Sequence, residues 1–255
     1  MLNFVGLGLY DERSVTVAGR EAIRTAEAVF AEFYTSKLIA ASVRDLERFH
    51  GVDIDVRDRA GVERDPEPIL EVADSGTAAF LTAGDPSVST THVDLRLRAH
   101  DRGIATRIYQ APTAQTAASG LTGLQSYRFG KATTIPFPRV HGGDGVPESV
   151  VETVADNRSR GLHTICYLDI KAEAEGMLPA DQAASLLAGD WREDALAVVV
   201  GQAGSPEPTV RADSLAELAD GDFGPPPHML VIPGDLHPIE EEALVAFADA
   251  PTTLF

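Results

Sequence analysis

The chain has 255 residues, 39 of them acidic and 21 basic, which gives a formal net charge of −18. Hydrophobic residues make up 44% and recur along the whole length, which excludes a disordered chain and predicts one large domain or two ordinary ones. The one cysteine, Cys166, excludes an internal disulfide and a cysteine-based metal cluster. The first residues lack the basic segment of a signal peptide, and no apolar window approaches the roughly 18–20 residues of a membrane span. We therefore expect a cytoplasmic protein with no membrane partner.

The basic residues are unusual because all but three are arginine. Lysine occurs only at Lys37, Lys131 and Lys171. An acidic, lysine-poor chain is typical of proteins that work in concentrated salt, where the Debye length falls to about 3 Å at 1 M and carboxylates repel one another less. An ordinary acidic enzyme is the alternative. In either case the charge disfavours a nucleic-acid partner, whose binding surface is normally basic.

The first half of the chain alternates between strand and helix patterns. Apolar runs predict strands over residues 2–9, 29–33, 77–82 and 104–109. Helices are predicted from the stripe Ala18, Ala22, Ala26 and Val29, and over residues 92–102, which Gly103 ends. This order predicts βαβ units and a mainly parallel sheet covered on both faces.

The alternation restarts after a join near residues 110–112. Strands are predicted over residues 162–170, 195–200 and 229–232, and a glycine-rich loop over 136–147. Helices over residues 147–158, 179–188 and 238–248 each open with a proline, which suits a first helical turn. We therefore predict an α/β protein with two α/β domains, residues 1–110 and 111–255, and mainly parallel or mixed sheets.

Two glycine-containing turns follow predicted strands. Gly6 and Gly8 form a GxG without the third glycine of a dinucleotide-binding fingerprint, and AGDP at residues 83–86 precedes the hydroxyl-rich SVSTTH at 87–92. Because the carboxyl ends of parallel strands meet at one edge of a sheet, both turns can face one ligand. Simple tight turns and N-capping of the next helix remain the alternatives.

The other reactive side chains give weaker signals. His228 follows three prolines, which favours either a capping role or a ligand contact, and Cys166 lies within a predicted strand as an inert core residue. The sequence holds no HExxH motif, no GxSxG motif and no phosphate-binding P-loop, so no metal site is predicted. The spacing of these residues does not by itself identify a reaction.

Six blocks of the sequence resemble the diphthine synthase family, which belongs to the tetrapyrrole-methylase-like methyltransferases. They are residues 2–16 (LNFVGLGLYDERSVT), 30–36 (FAEFYTS), 81–92 (LTAGDPSVSTTH), 120–131 (GLTGLQSYRFGK), 161–173 (GLHTICYLDIKAE) and 222–240 (DFGPPPHMLVIPGDLHPIE). The resemblance implies homodimers of two α/β domains with the cofactor in the cleft between the domains.

The resemblance also implies a reaction. S-adenosyl-L-methionine would give up methyl groups, leaving S-adenosyl-L-homocysteine, to trimethylate the amino nitrogen of the amino-carboxypropyl-histidine precursor on elongation factor 2. The product is diphthine, in diphthamide biosynthesis. A tetrapyrrole or ribosomal-RNA methylase of the same fold, or a non-catalytic S-adenosylmethionine-binding module, remains the alternative.

The family's cofactor contacts map, by this resemblance, onto eight positions that would act largely through backbone groups. They are Leu9, Asp85, Val88, Thr113, Ala114, Leu168, Ala203 and His228. The chain departs from the family pattern at Ala83, where proline is usual, at Thr113-Ala114, and in the loop 136–147, which lacks aromatic residues common there. No catalytic residue is assigned. Tyr34, His92 and Asp169 are weak candidates for a base, and Tyr34 with Glu32 for the wall of a substrate pocket, with strand-end packing as the alternative.

Overall fold

A computed structural model describes residues 1–140, 143–171 and 176–255 of the chain. It divides into two compact units, an N-terminal unit, Met1–Thr113, and a C-terminal unit, Ala114–Phe255. The division falls three residues after the predicted end of the first domain at residue 110. His141 and Gly142 of the predicted loop, and Ala172 and Glu173 of the fifth block, lie outside the described residues.

The N-terminal unit contains one five-stranded sheet in the order β3-β2-β4-β1-β5, with all neighbours parallel. Its strands are β1 (Leu2–Gly6), β2 (Ala28–Glu32), β3 (Ile54–Val56), β4 (Ala78–Thr82) and β5 (Thr106–Tyr109). Its helices are α1 (Val17–Arg24), α2 (Val43–His50), α3 (Arg59–Glu63), α4 (Glu67–Ser75) and α5 (Val93–Asp101). The predicted parallel sheet is confirmed, and the structure adds β3, α2, α3 and α4.

Alternating residues of the central strands pack on opposite faces of this sheet. Phe4 and Phe80 meet edge to face at 5.9 Å in the cluster that α3, α4 and α5 cover, whereas Val5 and Leu81 belong to the cluster beneath α1 and α2. Every residue of β4 is buried, as expected for a parallel strand covered on both sides. Helices on both faces thus leave the strand ends as the place where loops can build a site.

The predicted stripe for the first helix is wrong in its second half. Thr16 caps the N-terminus of α1 by accepting a hydrogen bond from the Gly19 amide (3.1 Å), and the helix ends before Thr25. Ala26 therefore lies outside the helix and Val29 lies in β2. Apolar spacing cannot separate a helical stripe from the buried strand that follows it.

The C-terminal unit contains a second five-stranded sheet, in the order β11-β10-β12-β7-β6. Its strands are β6 (Thr133–Ile135), β7 (Thr164–Leu168), β10 (Leu196–Gly201), β11 (Thr209–Ser214) and β12 (His228–Ile232), and a separate ribbon pairs β8 (Ile170–Lys171) with β9 (Gly176–Met177). Among the described strands of the larger sheet, β6–β7 is parallel and the other three pairs are antiparallel. The sheet is therefore mixed.

Helices cover both faces of the second sheet as well. They are α6 (Ala114–Thr122), α7 (Glu148–Ser159), α8 (Ala180–Asp190), α9 (Leu215–Ala219) and α10 (Pro238–Ala248), and α7, α8 and α10 lie where the prolines predicted them. Cys166 is fully buried with α7, α8 and α9, and burial raises the pKa of its thiol to about 12, which confirms it as inert core. Within the described part of the chain, no helix is both long and apolar enough to span a membrane.

Candidate functional site

The two glycine turns of the N-terminal unit bind each other directly. The Gly8 amide donates to the carbonyl of Gly84 (3.1 Å), and the Gly84 amide donates to the carbonyl of Gly8 (2.8 Å). Both glycines adopt the left-handed backbone conformation, with φ of 75° at Gly8 and 72° at Gly84, which residues with a side chain rarely adopt. The two turns therefore meet at the carboxyl ends of β1 and β4, and that both face one ligand stays a prediction.

Backbone packing around Gly6 draws in the chain that follows β5. A Cβ atom built on Gly6 would lie 2.6 Å from the Gly84 carbonyl oxygen and 2.7 Å from Cβ of Ala111. Three chain segments therefore meet at main-chain distance, and a ligand at this edge of the sheet would meet mostly peptide groups.

Asp85 joins two of these segments through its buried carboxylate. Oδ1 accepts hydrogen bonds from the amide (2.9 Å) and hydroxyl of Ser87, and Oδ2 accepts one from the Ala111 amide (2.9 Å). The side chain thus shapes the loop of residues 83–91 and ties it to the end of β5. The sequence patterns did not reveal Ser14 and Ala111, which support these turns. The available signal was the two glycines that they contact, Gly8 and Gly6.

The hydroxyl run does not cap α5. His92 occupies the N-cap position without a side-chain hydrogen bond to the helix, and the Thr90 hydroxyl donates instead to the Pro86 carbonyl (2.6 Å). The N-capping interpretation of SVSTTH is therefore wrong. These hydroxyls stiffen the loop that contains Asp85 and Val88.

The remaining candidates of the N-terminal unit lie near the same strand ends. The Leu9 amide donates to Oγ of Ser14 (2.9 Å), and the Val88 amide donates to the Asp85 carbonyl (3.1 Å). Both residues are half-buried, and Thr113 is buried four residues after β5 ends. Leu9, Asp85 and Val88 therefore belong to one edge of the sheet.

In the C-terminal unit, three candidates lie at a second sheet edge. Leu168 ends β7, Gly201 ends β10, and His228 begins the antiparallel strand β12 between them, with His228 opposite Gly201 in the register. Ala203 lies in the turn just after β10. Ala114 is the first residue of α6.

The His228 side chain has a capping role. Its Nδ1 accepts a hydrogen bond from the Ala180 amide (3.2 Å) at the start of α8, so the proton is on Nε2, which lies 3.2 Å from the Phe223 carbonyl oxygen. Burial lowers the pKa of His228 below its ordinary value and keeps the ring neutral. The capping interpretation is confirmed, and a ligand would meet chiefly the backbone of His228.

The weak base candidates are held in internal contacts. Burial raises the pKa of Tyr34 far above its ordinary value, which excludes a phenolate base, and the Arg59 guanidinium lies 5.0 Å from its ring centre. Asp169 accepts hydrogen bonds from the amides of Ile170 (2.9 Å) and Phe137 (3.3 Å). The Tyr34 hydroxyl makes no hydrogen bond with the described residues, whereas both carboxylate oxygens of Asp169 accept backbone amides.

Glu32 and His92 lie together inside the N-terminal unit. Glu32 is fully buried, and Nε2 of His92 lies 3.3 Å from its Oε1. This corrects the interpretation of Glu32 as the wall of a substrate pocket. The available signal was a charged residue at the end of an otherwise apolar strand, which in a parallel sheet requires internal partners.

The described residues contain no group of three or more histidine, cysteine, aspartate or glutamate side chains that could hold a metal ion. The candidate site is therefore defined by main-chain bends and by neutral or internally paired side chains.

Three comparisons with known proteins agree. The family model for tetrapyrrole (corrin/porphyrin) methylases matches residues 1–219. The diphthine synthase of Haloquadratum walsbyi is 63% identical over 100% of this chain and 97% of its own, and that of Halobacterium salinarum is 63% identical over 98% of each. A crystal structure of a diphthine synthase superposes with a TM-score of 0.92 at 38% identity, covering 99% of this chain and 98% of the other. On this likeness of sequence and fold, the chain belongs to the tetrapyrrole methylase family and, within it, to the diphthine synthases.

Proposed function

We propose that this enzyme transfers methyl groups from S-adenosyl-L-methionine to the amino nitrogen of the amino-carboxypropyl-histidine precursor on elongation factor 2, and that three successive transfers give diphthine. The observation that carries the proposal is the likeness to proteins named diphthine synthase, at 60–63% identity over nearly the full length. The organisms of these relatives also fit the acidic, lysine-poor composition expected for concentrated salt.

The methyl donor is proposed to contact eight residues, largely through main-chain atoms. The geometry around Gly84 supports this, because among the described residues, its chain neighbours aside, no heavy atom would lie within 4 Å of a Cβ atom there. A ligand can therefore approach the peptide at this bend closely. The proposed contacts are Leu9, Asp85, Val88 and Thr113 in the N-terminal unit and Ala114, Leu168, Ala203 and His228 in the C-terminal unit.

The proposed methyl transfer depends mainly on the alignment of the reacting atoms. The bound donor supplies a methyl group on a sulfonium, which is already an activated leaving group, so the protein must hold the attacking nitrogen in line and exclude water. Near-attack positioning of this kind supplies about 7–11 kcal/mol of the barrier. The hydrogen-bonded loop 83–91, fixed by Asp85 and the Gly8–Gly84 pair, is a rigid support for that alignment.

The substrate amine must lose its proton before each attack. Burial raises the pKa of Tyr34, and Asp169 accepts two backbone amides, so we infer that desolvation of the amine, which lowers the pKa of the amine, makes the neutral form available. The final trimethylammonium group carries a permanent charge and leaves the nitrogen with no lone pair, so transfer stops after three methyl groups. We further propose that the enzyme works as a homodimer in the cytoplasm.

The decisive experiment is methyl transfer at molar salt. The enzyme is incubated with elongation factor 2 carrying the precursor and with isotopically labelled S-adenosylmethionine, and the intact factor is weighed. We expect a gain of three methyl groups on the modified histidine, and none on a matched factor in which that histidine is replaced by alanine.

Two outcomes would overturn the proposal. Label appearing in ribosomal RNA or in a porphyrin precursor, with none in the factor, would assign the chain to another reaction of the same family. Binding of the donor with no transfer to the factor would favour a non-catalytic module. Light scattering at the same salt tests the dimer separately.

A further inference from the structure

Glu32 is the last residue of β2, and its carboxylate is the centre of a buried group of contacts. Oε2 accepts hydrogen bonds from the amides of Tyr34 and Thr35, each at 3.0 Å. Oε1 accepts hydrogen bonds from the hydroxyls of Thr35 and Thr82, the latter at 2.5 Å. None of the Glu32 surface is exposed, so the protein alone compensates this charge.

Two of the contacting residues are the two ends of one loop. Thr82 is the last residue of β4, and His92, whose Nε2 lies 3.3 Å from Oε1 of Glu32, directly precedes α5. The nine residues between them, 83–91, include Gly84, Asp85 and Val88. The Glu32 carboxylate therefore accepts a hydrogen bond where the loop leaves the sheet, and it lies within ion-pair distance of His92 where the loop enters the helix.

The charge on this carboxylate is favoured by its surroundings. Burial alone would raise the pKa of Glu32, but the contacts from His92, Thr35 and Thr82 outweigh it and lower the pKa below its ordinary value. An ionised carboxylate accepts hydrogen bonds only, which matches the amide and hydroxyl donors around it. Because dissolved ions cannot reach it, concentrated salt screens it far less than a surface ion pair.

We propose that Glu32 is a positioning residue for the methyl donor, acting by holding both ends of the loop 83–91. This inference rests on the proposed function, in which that loop binds the donor through Asp85 and Val88. The backbone pairing of β2 with β4 stabilises the sheet itself, whereas the Glu32 side chain also reaches His92 beyond the strands. Its removal should therefore affect the loop more than the sheet.

The chain offers a matched control at the opposite end of the same two strands. Glu27 precedes β2, and its Oε1 accepts a hydrogen bond from the Thr77 amide (3.2 Å) just before β4. Glu27→Ala removes the same charge and one exposed hydrogen bond between the same strands, far along the sheet from the loop. A conservative variant, Glu32→Gln, keeps the side-chain shape, and the Thr35 and Thr82 hydroxyls can turn to accept from its amide.

The experiment measures two quantities on Glu32→Ala, Glu32→Gln, Glu27→Ala and the parent enzyme. Calorimetry at molar salt gives the Kd of S-adenosylhomocysteine, and hydrogen exchange without ligand gives the protection of amides in residues 83–91. We expect Glu32→Ala to raise the Kd about tenfold, equivalent to about 1.4 kcal/mol, and to lose protection in the loop. Glu32→Gln should recover most of the affinity, and Glu27→Ala should bind within about twofold of the parent.

Steady-state kinetics separate positioning from a general loss of stability. We expect the KM for S-adenosylmethionine to rise in Glu32→Ala with a smaller change in kcat, because loop placement affects donor binding first. If Glu32→Ala does not fold, Thr82→Val, which deletes one hydroxyl at one end of the loop, takes its place with a smaller expected rise in Kd. A folded variant with unchanged Kd and unchanged loop exchange overturns the proposal.

Failure of the proposed function is recognised independently. If the parent enzyme does not bind S-adenosylhomocysteine, the donor assignment is wrong, while the exchange data still report whether Glu32 holds the loop. Equal losses of affinity in Glu27→Ala and Glu32→Ala also overturn the proposal, because they would show a general effect of strand linkage.

Discussion

Among the described residues, each unit has a buried glutamate beside a buried histidine. The two pairs differ in how many of their polar atoms form hydrogen bonds. In the C-terminal unit, His163 accepts a hydrogen bond at Nδ1 from the Gly234 amide (3.0 Å), and its Nε2 lies 3.1 Å from Oε1 of Glu240. Because Nδ1 accepts, Nε2 carries the proton and donates it to the carboxylate. Both ring nitrogens of His163 are therefore used.

Glu240 is equally well satisfied. It accepts hydrogen bonds from the amides of Gln125 (2.8 Å) and His237 (2.9 Å) and from the Arg128 guanidinium (2.7 Å). Burial opposes its charge, but the hydrogen bonds from the His237 and Gln125 amides and from His163 lower the pKa of Glu240 below its ordinary value. The pair joins the start of α10 to distant parts of its unit.

The pair in the N-terminal unit is incomplete. Glu32 is satisfied by amides and hydroxyls, but neither ring nitrogen of His92 makes a hydrogen bond of good geometry with the described residues, and the ring packs edge to face on Phe80 at 5.0 Å. The same two residue types therefore form a structural cross-link in the C-terminal unit, whereas in the N-terminal unit they are proposed to position the loop 83–91. Completeness of hydrogen bonding distinguishes the two roles.

The largest expected effect follows from breaking the complete pair. Glu240→Ala leaves two partly buried amides, His163 and Arg128 without their acceptor, so we expect the free energy of unfolding to fall by about 4 kcal/mol. Denaturant titration at molar salt measures the loss. The control Glu242→Ala removes an exposed acid from the same helix and should change stability by no more than about 0.5 kcal/mol. Equal effects of the two variants would contradict the cross-link.

Replacing the two histidines in turn tests the comparison directly. His163→Phe leaves the Gly234 amide unpaired and removes one of the two hydrogen bonds to Oε1 of Glu240, and we expect a loss of about 3 kcal/mol. His92→Phe removes no well-formed hydrogen bond and keeps the aromatic contact with Phe80, so about 1 kcal/mol or less is expected. The exposed His100→Phe is the baseline. Similar losses at residues 163 and 92 would remove the distinction between the pairs.

His50 is a further buried histidine, and no carboxylate contributes to its pKa shift. It extends the comparison to the dependence of stability on pH. Burial lowers the pKa of His50 to about 4, and the charges of Arg20 and Arg24 act in the same direction. The unfolded chain therefore takes up this proton first as the pH falls from about 6.5 towards about 4, and stability is lost over that range. We expect His50→Leu to lose about 2 kcal/mol less than the parent over the same range. Parallel stability curves for the two proteins would exclude this cause.

Much of the N-terminal sheet could be predicted because its central strands are buried on both sides and read as unbroken apolar runs. β3 was missed because it has three residues and buries only Ile54, which gives neither a run nor an alternation. β11 was missed for the same reason, since Ala212 is its one fully buried residue. The directions of β10 and β12 depend on pairing between distant segments, so local patterns allowed a mixed second sheet without establishing which of its strands run antiparallel.

The sequence predicted the backbone bends of the candidate site but not the partners of its side chains. The glycine spacing located the bends at Gly8 and Gly84, because a positive φ leaves a signature in residue type. The contacts of Glu32 with Thr82 and His92 join residues 50 and 60 positions apart, so the apolar strand could indicate a buried charge but not its partners. His228 illustrates the same limit, since its capping of α8 required the position of Ala180.

The meeting of Gly6 and Gly84 restricts natural variation at the two positions in different ways. At Gly84 the obstacle is handedness alone, since its φ is 72° with open space beyond, and asparagine or aspartate tolerates such a backbone. At Gly6 the obstacle is room, because any side chain would collide with a carbonyl 2.6 Å away. The fold thus has an alternative at position 84, where a side chain would enter the space proposed for the methyl donor, and none at position 6.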